Sequence, residues 1–393
     1  MKTPLSLIFI LLTTITFGQN IKKSIDKNDF DAVREYINAT DLIEDDVHLS
    51  ELGVEINPMI YAVKKNQIES VKQFVKHKEK FEDFLTTVSI SFITSIEVGN
   101  DKLITYLYEQ SPNVNEVSHL CNDNTAIMNA VLYGNSKWYF KLKEKSELYL
   151  VNNNGNNLVH LSAYNYNNSI LTDILSSGLD INLLNKDDKT PLHISAMVGA
   201  EQMFFKLIDA GAKYQSLANL YADAVLGGNV NILNYFKENN LDSPEFLWSE
   251  YSYKIENRKL QTYYPYELAV LSGNPQVFNS VVDLMMNDIQ KDSTNQHIKL
   301  MYRLLDGIGD EYEYLSITFA VSMGYKDIFE KILKTSVAFN NRNYIVTYHN
   351  RFANYKYTQK ANIYFTKFDY RSAKRRFGKD VITKLYKDLQ IKF

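Results

Sequence analysis

The sequence predicts an all-α protein, a solenoid of about nine helix–turn–helix units that occupies residues 19–338. A pattern recurs every 33 residues, so that His160 precedes His193 by 33 residues and Gly178 precedes Gly211 by the same distance. Most copies carry a small residue, then a glycine, then apolar residues at i, i+1, i+4 and i+5, the spacing of an amphipathic helix. Such a unit cannot bury its apolar face alone, so stacked neighbours must supply the core.

The first helix of each unit is predicted from its small residue and its glycine. A small side chain lets this helix pack closely against the equivalent helix of the next unit. Glycine ends the helix because it adopts left-handed backbone angles at little cost. The glycines at these helix ends are Gly99, Gly134, Gly199, Gly228, Gly273 and Gly324.

The best-formed unit begins with Thr190-Pro191-Leu192-His193-Ile194-Ser195-Ala196, and residues 157–163 repeat it as Asn-Leu-Val-His-Leu-Ser-Ala. This pattern resembles the ankyrin repeat, which has a Thr-Pro-Leu-His-x-Ala signature and a 33-residue period. The resemblance implies units of two antiparallel helices and a loop, in which His160 and His193 support the turn that starts the helix. It also implies a scaffold that binds another macromolecule on its concave face. The full signature occurs once, so the other units are expected to be less rigid.

Two insertions interrupt the period. The glycines at 199, 228, 273 and 324 are separated by 29, 45 and 51 residues. The extra residues fall near 242–262, which is rich in aromatic residues, and near 290–312, where the apolar run from His297 to Leu305 predicts an added helix. Insertions in repeats form loops that often bind partners. The alternative is that they only lengthen helices.

The N-terminus predicts export. Lys2 precedes an apolar run from Leu5 to Phe17, and small residues at Thr16 and Gly18 fit a signal peptidase site, so residues 1–18 are predicted to be a signal peptide. An uncleaved N-terminal anchor is the alternative. The mature chain is therefore expected in the periplasm or secreted, as a monomer of the cell envelope.

The composition excludes several classes of protein. The 393 residues are 45% hydrophobic and 23% charged, which is enough apolar material for a core, and the net charge of −3 is too balanced for a general polyanion binder. The single cysteine, Cys121, cannot form an internal disulfide or a thiolate metal site, and we expect it to be buried.

The C-terminal segment, residues 339–393, departs from the repeat. Its thirteen basic and three acidic side chains give a charge of +10. Alternating residues around Tyr355, Tyr357, Ile363 and Phe365 predict a hairpin. A four-residue spacing predicts one closing amphipathic helix through Ala373, Phe377, Val381, Leu385 and Leu389.

Three interpretations of this basic segment remain open. It caps the open end of the last repeat, it contacts anionic lipids or glycolipids, or it binds nucleic acid. Export argues against nucleic acid, which we do not expect as a partner.

No catalytic, cofactor or metal site is predicted. The seven histidines form no His-x-x-x-His pair, and neither glycine cluster, at 227–228 or 307–309, is followed by the Gly-Lys-Ser/Thr of a phosphate loop. The alternative is an enzyme with a site in the insertions or the tail, where His297 and His349 are the candidate residues.

The predicted function is therefore a non-enzymatic protein–protein interaction scaffold. Positions just after the small residue of the first helix, usually polar in the family, are apolar or aromatic in four neighbouring repeats, which favours a binding surface. Packing between adjacent first helices is the alternative. The candidate partner-binding residues are Leu132, Tyr133, Tyr164, Asn165, Met197, Val198 and Leu226.

Overall fold

The computed structural model describes residues 21–44, 47–49, 54–253, 261–291, 297–298, 300–301, 320, 323–341, 345–350, 355–360 and 367–391. The chain divides into two compact units, residues 1–191 and 192–393. Helices dominate both units and strands are few, which confirms the all-α prediction. The predicted signal peptide, residues 1–18, lies outside the described residues.

The first unit is a series of short helices with one small hairpin. The helices are α1 (21–26), α2 (Phe30–Ala39), α3 (Pro58–Lys64), α4 (Ile68–Lys76), α5 (Phe84–Val98), α6 (Asp101–Tyr108), α7 (Ala126–Leu132), α8 (Ser136–Leu142), α9 (Leu158–Ser162) and α10 (Asn168–Ser176). Short 3-10 turns lie at Lys78–Lys80, His119–Cys121 and Lys143–Lys145. Strands β1 (Val47–Leu49) and β2 (Val54–Ile56) pair antiparallel, which the helical periodicity did not predict.

The second unit has the same kind of helix pairs with longer additions. Its helices are α11 (Pro191–Met197, which begins at the boundary), α12 (Glu201–Asp209), α13 (Leu217–Gly227), α14 (Val230–Glu238), α15 (Pro244–Leu247), α16 (Pro265–Leu271), α17 (Pro275–Lys291), α18 (Lys326–Asn341), α19 (Lys367–Phe377) and α20 (Lys379–Asp388). Antiparallel hairpins join β3 (Tyr251–Tyr253) to β4 (Gln261–Tyr263) and β5 (Ile345–Asn350) to β6 (Tyr355–Lys360).

The core combines helices that are buried nearly all round with the inner faces of the helices beside them. In the first unit α3, α5, α7 and α9 contact one another in that order, and in the second unit α13 contacts α16. Six of the seven residues of α7 are buried, whereas α8 buries a stripe of Trp138, Tyr139 and Leu142. The glycines at the predicted helix ends all have positive φ, so these helices stop where the sequence predicted.

Asparagine at the start of the second helix joins neighbouring repeats. The Asn167 Oδ1 accepts from the backbone N–H of Ser169 at the start of α10, and its Nδ2 donates to the Gly134 carbonyl at 3.0 Å. Asn229 does the same with the Gly199 carbonyl at 3.2 Å, and Asn274 with that of Gly228 at 2.8 Å. One side chain therefore caps its own helix and closes the turn of the preceding repeat.

The two insertions have different structures. The first, near 242–262, forms α15 and the β3–β4 hairpin, and the hydroxyl of Tyr253 donates to the buried carboxylate of Asp223 at 2.7 Å. The second insertion, near 290–312, begins in the last two residues of α17, a helix of 17 residues that ends at Lys291. The first residues of this insertion therefore lengthen α17 at its C-terminus. Residues 297–298 and 300–301 are helical, as predicted for the added helix, and 302–312 lie outside the described residues.

The C-terminal segment corrects one prediction. A strand is confirmed at 355–360, but its antiparallel partner is the upstream strand 345–350, and Ile363 and Phe365 of the predicted hairpin lie outside the described residues. The single closing helix is wrong: Gly378, at φ 99°, separates α19 from α20 because this backbone conformation cannot continue a helix. The break also changes which residues face inward, so Ile382 and Tyr386 are buried while Val381 is 43% exposed.

Candidate protein-binding surface

Two tyrosines in the first unit stand at the ends of consecutive first helices. Tyr133 directly follows α7, and its backbone N–H donates to the Asn129 carbonyl. Tyr164 follows the last turn of α9. Their side chains are 41% and 47% exposed, although the helices that carry them are almost wholly buried. The structure therefore presents both aromatic rings on rigid supports.

Glu97 and Cys121, which the sequence reasoning did not select, adjoin Tyr133. Glu97 on α5 lies close enough for its charge to act on the Tyr133 hydroxyl, and its Oε2 lies 3.7 Å from the Cys121 Sγ. Partial burial and the neighbouring Glu97 charge raise the pKa of Tyr133 to about 12. The hydroxyl stays protonated at neutral pH, so this end of the surface offers a hydrogen-bond donor beside a carboxylate.

The next turn contributes Tyr164 and Asn165. Partial burial and the charge of Asp187 raise the pKa of Tyr164, so its hydroxyl is also neutral. The Asn165 side chain lies over Gly134, where a Cβ would come within 2.7 Å of its Oδ1. The Asn165 amide therefore touches the preceding turn, although Asn165 is exposed, as Tyr164 is. Leu132, the last residue of α7, is half-buried.

In the second unit the candidate residues are mostly packed. Met197 and Leu226 are half-buried, and Val198 is exposed. Gly227, next to Leu226, lies so close to α11 that a Cβ would be 3.0 Å from the Met197 carbonyl oxygen. These positions fit the packing interpretation better than the tyrosines of the first unit do.

A ladder of buried asparagines fixes the loops of the first unit, and sequence reasoning missed it. The Nδ2 of Asn152 donates to the Asn124 Oδ1 at 3.0 Å, and that of Asn185 donates to the Asn156 Oδ1 at 2.8 Å. Asn152 and Asn185 also cap their own loops through Oδ1. Their 33-residue separation was the available signal. An exposed apolar residue directly precedes each of these two asparagines, Val151 before Asn152 and Leu184 before Asn185.

The side chains of His160 and His297 make contacts within the fold. The buried ring of His160 accepts from the Asn157 backbone N–H at Nδ1, and its Nε2 lies 3.1 Å from the Lys189 carbonyl. His297 stacks on Trp248 at 4.5 Å, and the Trp248 indole donates to Asp288, which also lies 3.5 Å from His297. His349 lies in β5 opposite Lys356. Within the described residues no cluster of His, Cys, Asp or Glu could hold a metal ion.

The basic helices at the C-terminus pack through a few apolar residues. Phe377 on α19 meets Phe329 on α18 with ring centroids 5.4 Å apart, and the Arg376 guanidinium covers Gly324. Ala373, Ile382 and Tyr386 are buried, while Arg375, Lys384 and Lys387 are exposed. This segment therefore covers part of the last repeat and still presents cations to solvent.

Comparisons with known protein families and with curated proteins find no match. In the part of the chain that the structure describes, no helix combines the length and apolarity required to cross a bilayer.

Proposed function

We propose that the chain is a non-enzymatic scaffold of the cell envelope, an ankyrin-type solenoid that binds a protein partner on the concave face of its repeats. The observation that carries the proposal is the pair of exposed tyrosines, Tyr133 and Tyr164, at consecutive first-helix ends of the first unit. The ankyrin-like pattern supports the choice of face. The envelope location rests on the apolar N-terminal sequence.

Tyrosine suits this role for physical reasons. Its ring supplies a large contact area, it loses little conformational freedom on binding, and its hydroxyl can hydrogen-bond at the edge of an interface. Tyr133 and Tyr164 sit on helices that packing holds in place, so little ordering is required when a partner binds. Their exposed surface is not needed by the core.

Truncating both tyrosines tests the proposal. Tyr133→Ala with Tyr164→Ala should weaken binding to a co-purified partner by about 2 kcal/mol or more, roughly thirtyfold, because aromatic residues at the centre of interfaces commonly contribute that much. The melting temperature should change little. Affinity pulldown from the cell envelope and thermal unfolding measure the two effects.

Tyr149→Ala is the matched control. Tyr149 lies in a loop of the same unit and is more exposed than Tyr133 or Tyr164. It should leave both the partner and the melting temperature unchanged. A double variant that melts several degrees lower but keeps its partner would show that the tyrosines pack the array and do not bind.

The alternative function, contact with anionic lipids or glycolipids, is favoured by the exposed cations of α19 and α20. Lys384→Glu with Lys387→Glu should change stability by less than about 0.5 kcal/mol, because both side chains face solvent. Ile382→Asp should cost about 3 kcal/mol, because it places an unpaired charge at a buried position.

Vesicle sedimentation separates these interpretations. If the segment is only a cap, the charge-reversed protein should pellet with phosphatidylglycerol vesicles no less than the unaltered chain. Release of the charge-reversed protein, together with normal folding, would favour the lipid function instead.

A further inference from the structure

A second concave region lies in the first unit, between the β1–β2 hairpin and the start of α5. It encloses a cavity of about 610 Å³, within the ~300–1,000 Å³ typical of ligand sites. Its apolar lining comes from the hairpin region, from α3 and α5, and from a 3-10 turn: Ile43, Val54, Ile56, Ile60, Ile90 and Leu120. Val54, at the mouth, is 40% exposed.

Carboxylates surround this apolar lining. Glu44, Glu55, Glu82 and Asp83 line the cavity, and no lysine or arginine does so among the described residues. His119 is the one other titratable side chain in the lining, and it already contacts Asp123. The four carboxylates form no ion pair within the described part of the chain.

The walls of the cavity are fixed before any partner arrives. The Ile43 N–H donates to the Lys80 carbonyl at 2.7 Å, and the Asn57 amide reaches the carbonyls of Ile43 and Glu44 at 3.4 Å. The ammonium group of Lys80 is occupied by the carbonyls of Ile37 and Thr40. Among the described residues it forms no ion pair with the carboxylates of the rim.

Asp83 holds its charge and its position. Its carboxylate caps α5 by accepting from the Thr86 N–H at 3.0 Å, and hydrogen bonds to Thr86 lower its pKa. The neighbouring sequence reinforces the field, since residues 41–57 contain six acidic residues and no lysine or arginine. A ligand of this cavity must therefore supply both apolar surface and positive charge.

We propose that this cavity binds a short segment of a partner protein in which lysine or arginine flanks an apolar side chain. The apolar side chain fills the cavity and the cations face Glu55, Glu82 and Asp83. Anionic lipids and nucleic acids are excluded from it by the same charge. The inference rests on the proposed scaffold function only because it assumes a protein partner. It adds a contact region whose lining does not include Tyr133 or Tyr164.

A labelled peptide of sequence Lys-Leu-Arg-Ile-Lys, capped at both ends, tests the proposal by fluorescence anisotropy with the full chain. Glu55→Gln with Glu82→Gln should weaken its binding about tenfold, and Val54→Ser should also weaken it. Replacing the apolar residues of the peptide with serine should weaken binding too, and replacing its cations with glutamate should abolish it. Circular dichroism checks that each variant is folded.

The matched control neutralises two exposed carboxylates elsewhere in the same unit, Glu144→Gln with Glu147→Gln. It should bind the peptide as the unaltered chain does. If both charge variants weaken binding equally, or if the serine peptide binds as well as the apolar one, the attraction is general and the cavity is not a site.

The cavity could instead bind the basic C-terminal segment of a second molecule of this chain. A peptide with the sequence of residues 367–391 tests that alternative. If that peptide displaces the labelled probe and the protein dimerises in sedimentation experiments, the assignment to a foreign partner is overturned. Loss of the natural partner in the Tyr133→Ala, Tyr164→Ala variant with normal peptide binding would support both sites. If the tyrosine variant keeps the natural partner and the Glu55→Gln, Glu82→Gln variant loses it, the tyrosine surface is refuted and the cavity site is supported.

Discussion

Replacing Gly227 with alanine should lower the free energy of unfolding by about 3 kcal/mol or more. A Cβ at this position would overlap the Ala196 carbonyl oxygen and would lie 2.9 Å from the Gly199 nitrogen and 3.0 Å from the Met197 carbonyl oxygen. All three are backbone atoms, so no side chain can rotate away, and α11 and α13 would have to separate. Denaturant unfolding followed by circular dichroism measures the change.

Helix propensity alone predicts the opposite result, that Gly227→Ala raises the free energy of unfolding. The residue ends α13 without a positive φ, and alanine inside a helix is favoured over glycine by about 1 kcal/mol. Gly211→Ala is the matched control: its φ is positive at 85°, nothing lies within 4 Å of a Cβ there, and it should cost about 1 kcal/mol. A stabilised Gly227→Ala protein would show that the two helices are not in contact.

The first unit should lose about 3 kcal/mol of stability between pH 7 and pH 4 through His160. Burial lowers the pKa of His160 from 6.5 to about 4, so the unfolded chain takes up the proton first. The folded state therefore loses stability as the pH falls through 6.5, and the loss levels off below 4. A shift of one pKa unit corresponds to about 1.4 kcal/mol, which sets the size of the effect.

Comparison with His160→Gln isolates this contribution, because carboxylates also titrate in acid. The variant should be less stable at pH 7, because it loses the hydrogen bonds of the His160 ring. Its free energy of unfolding should vary less between pH 7 and pH 4 than that of the unaltered chain. His119→Gln, at an exposed position of the same unit, should keep the full pH dependence. If the His160 and His119 variants show the same slope, the ring is not buried in its neutral form.

Much of the fold could be predicted because it is encoded locally. The helix ends follow from glycine, and the second helices follow from apolar spacing, as in Val33, Tyr36 and Ile37 of the degenerate first copy, all buried. The break at Gly378 was missed because a continuous four-residue spacing through Phe377 and Val381 outweighed a single glycine. The β1–β2 hairpin was missed because its strands have three residues each, too few to show an alternation.

The candidate sites depended on contacts that a sequence does not show. Tyr133 and Leu132 are adjacent and were predicted together, yet only the ring of Tyr133 is exposed. The acidic cavity combines residues from 43 to 120, none of which forms a motif with the others. The asparagine ladder did leave a periodic trace, but asparagine is common in loops for many reasons.

The asparagine joints determine where this chain can change length. Gly228 and Gly273 are 45 residues apart, yet Asn274 still reaches the Gly228 carbonyl at 2.8 Å, just as Asn229 reaches Gly199 across an ordinary interval. The extra residues between these joints form α15 and the β3–β4 hairpin. During evolution, segments could therefore be inserted or exchanged between the joints without altering the register of the helices, because each glycine–asparagine joint sets that register anew.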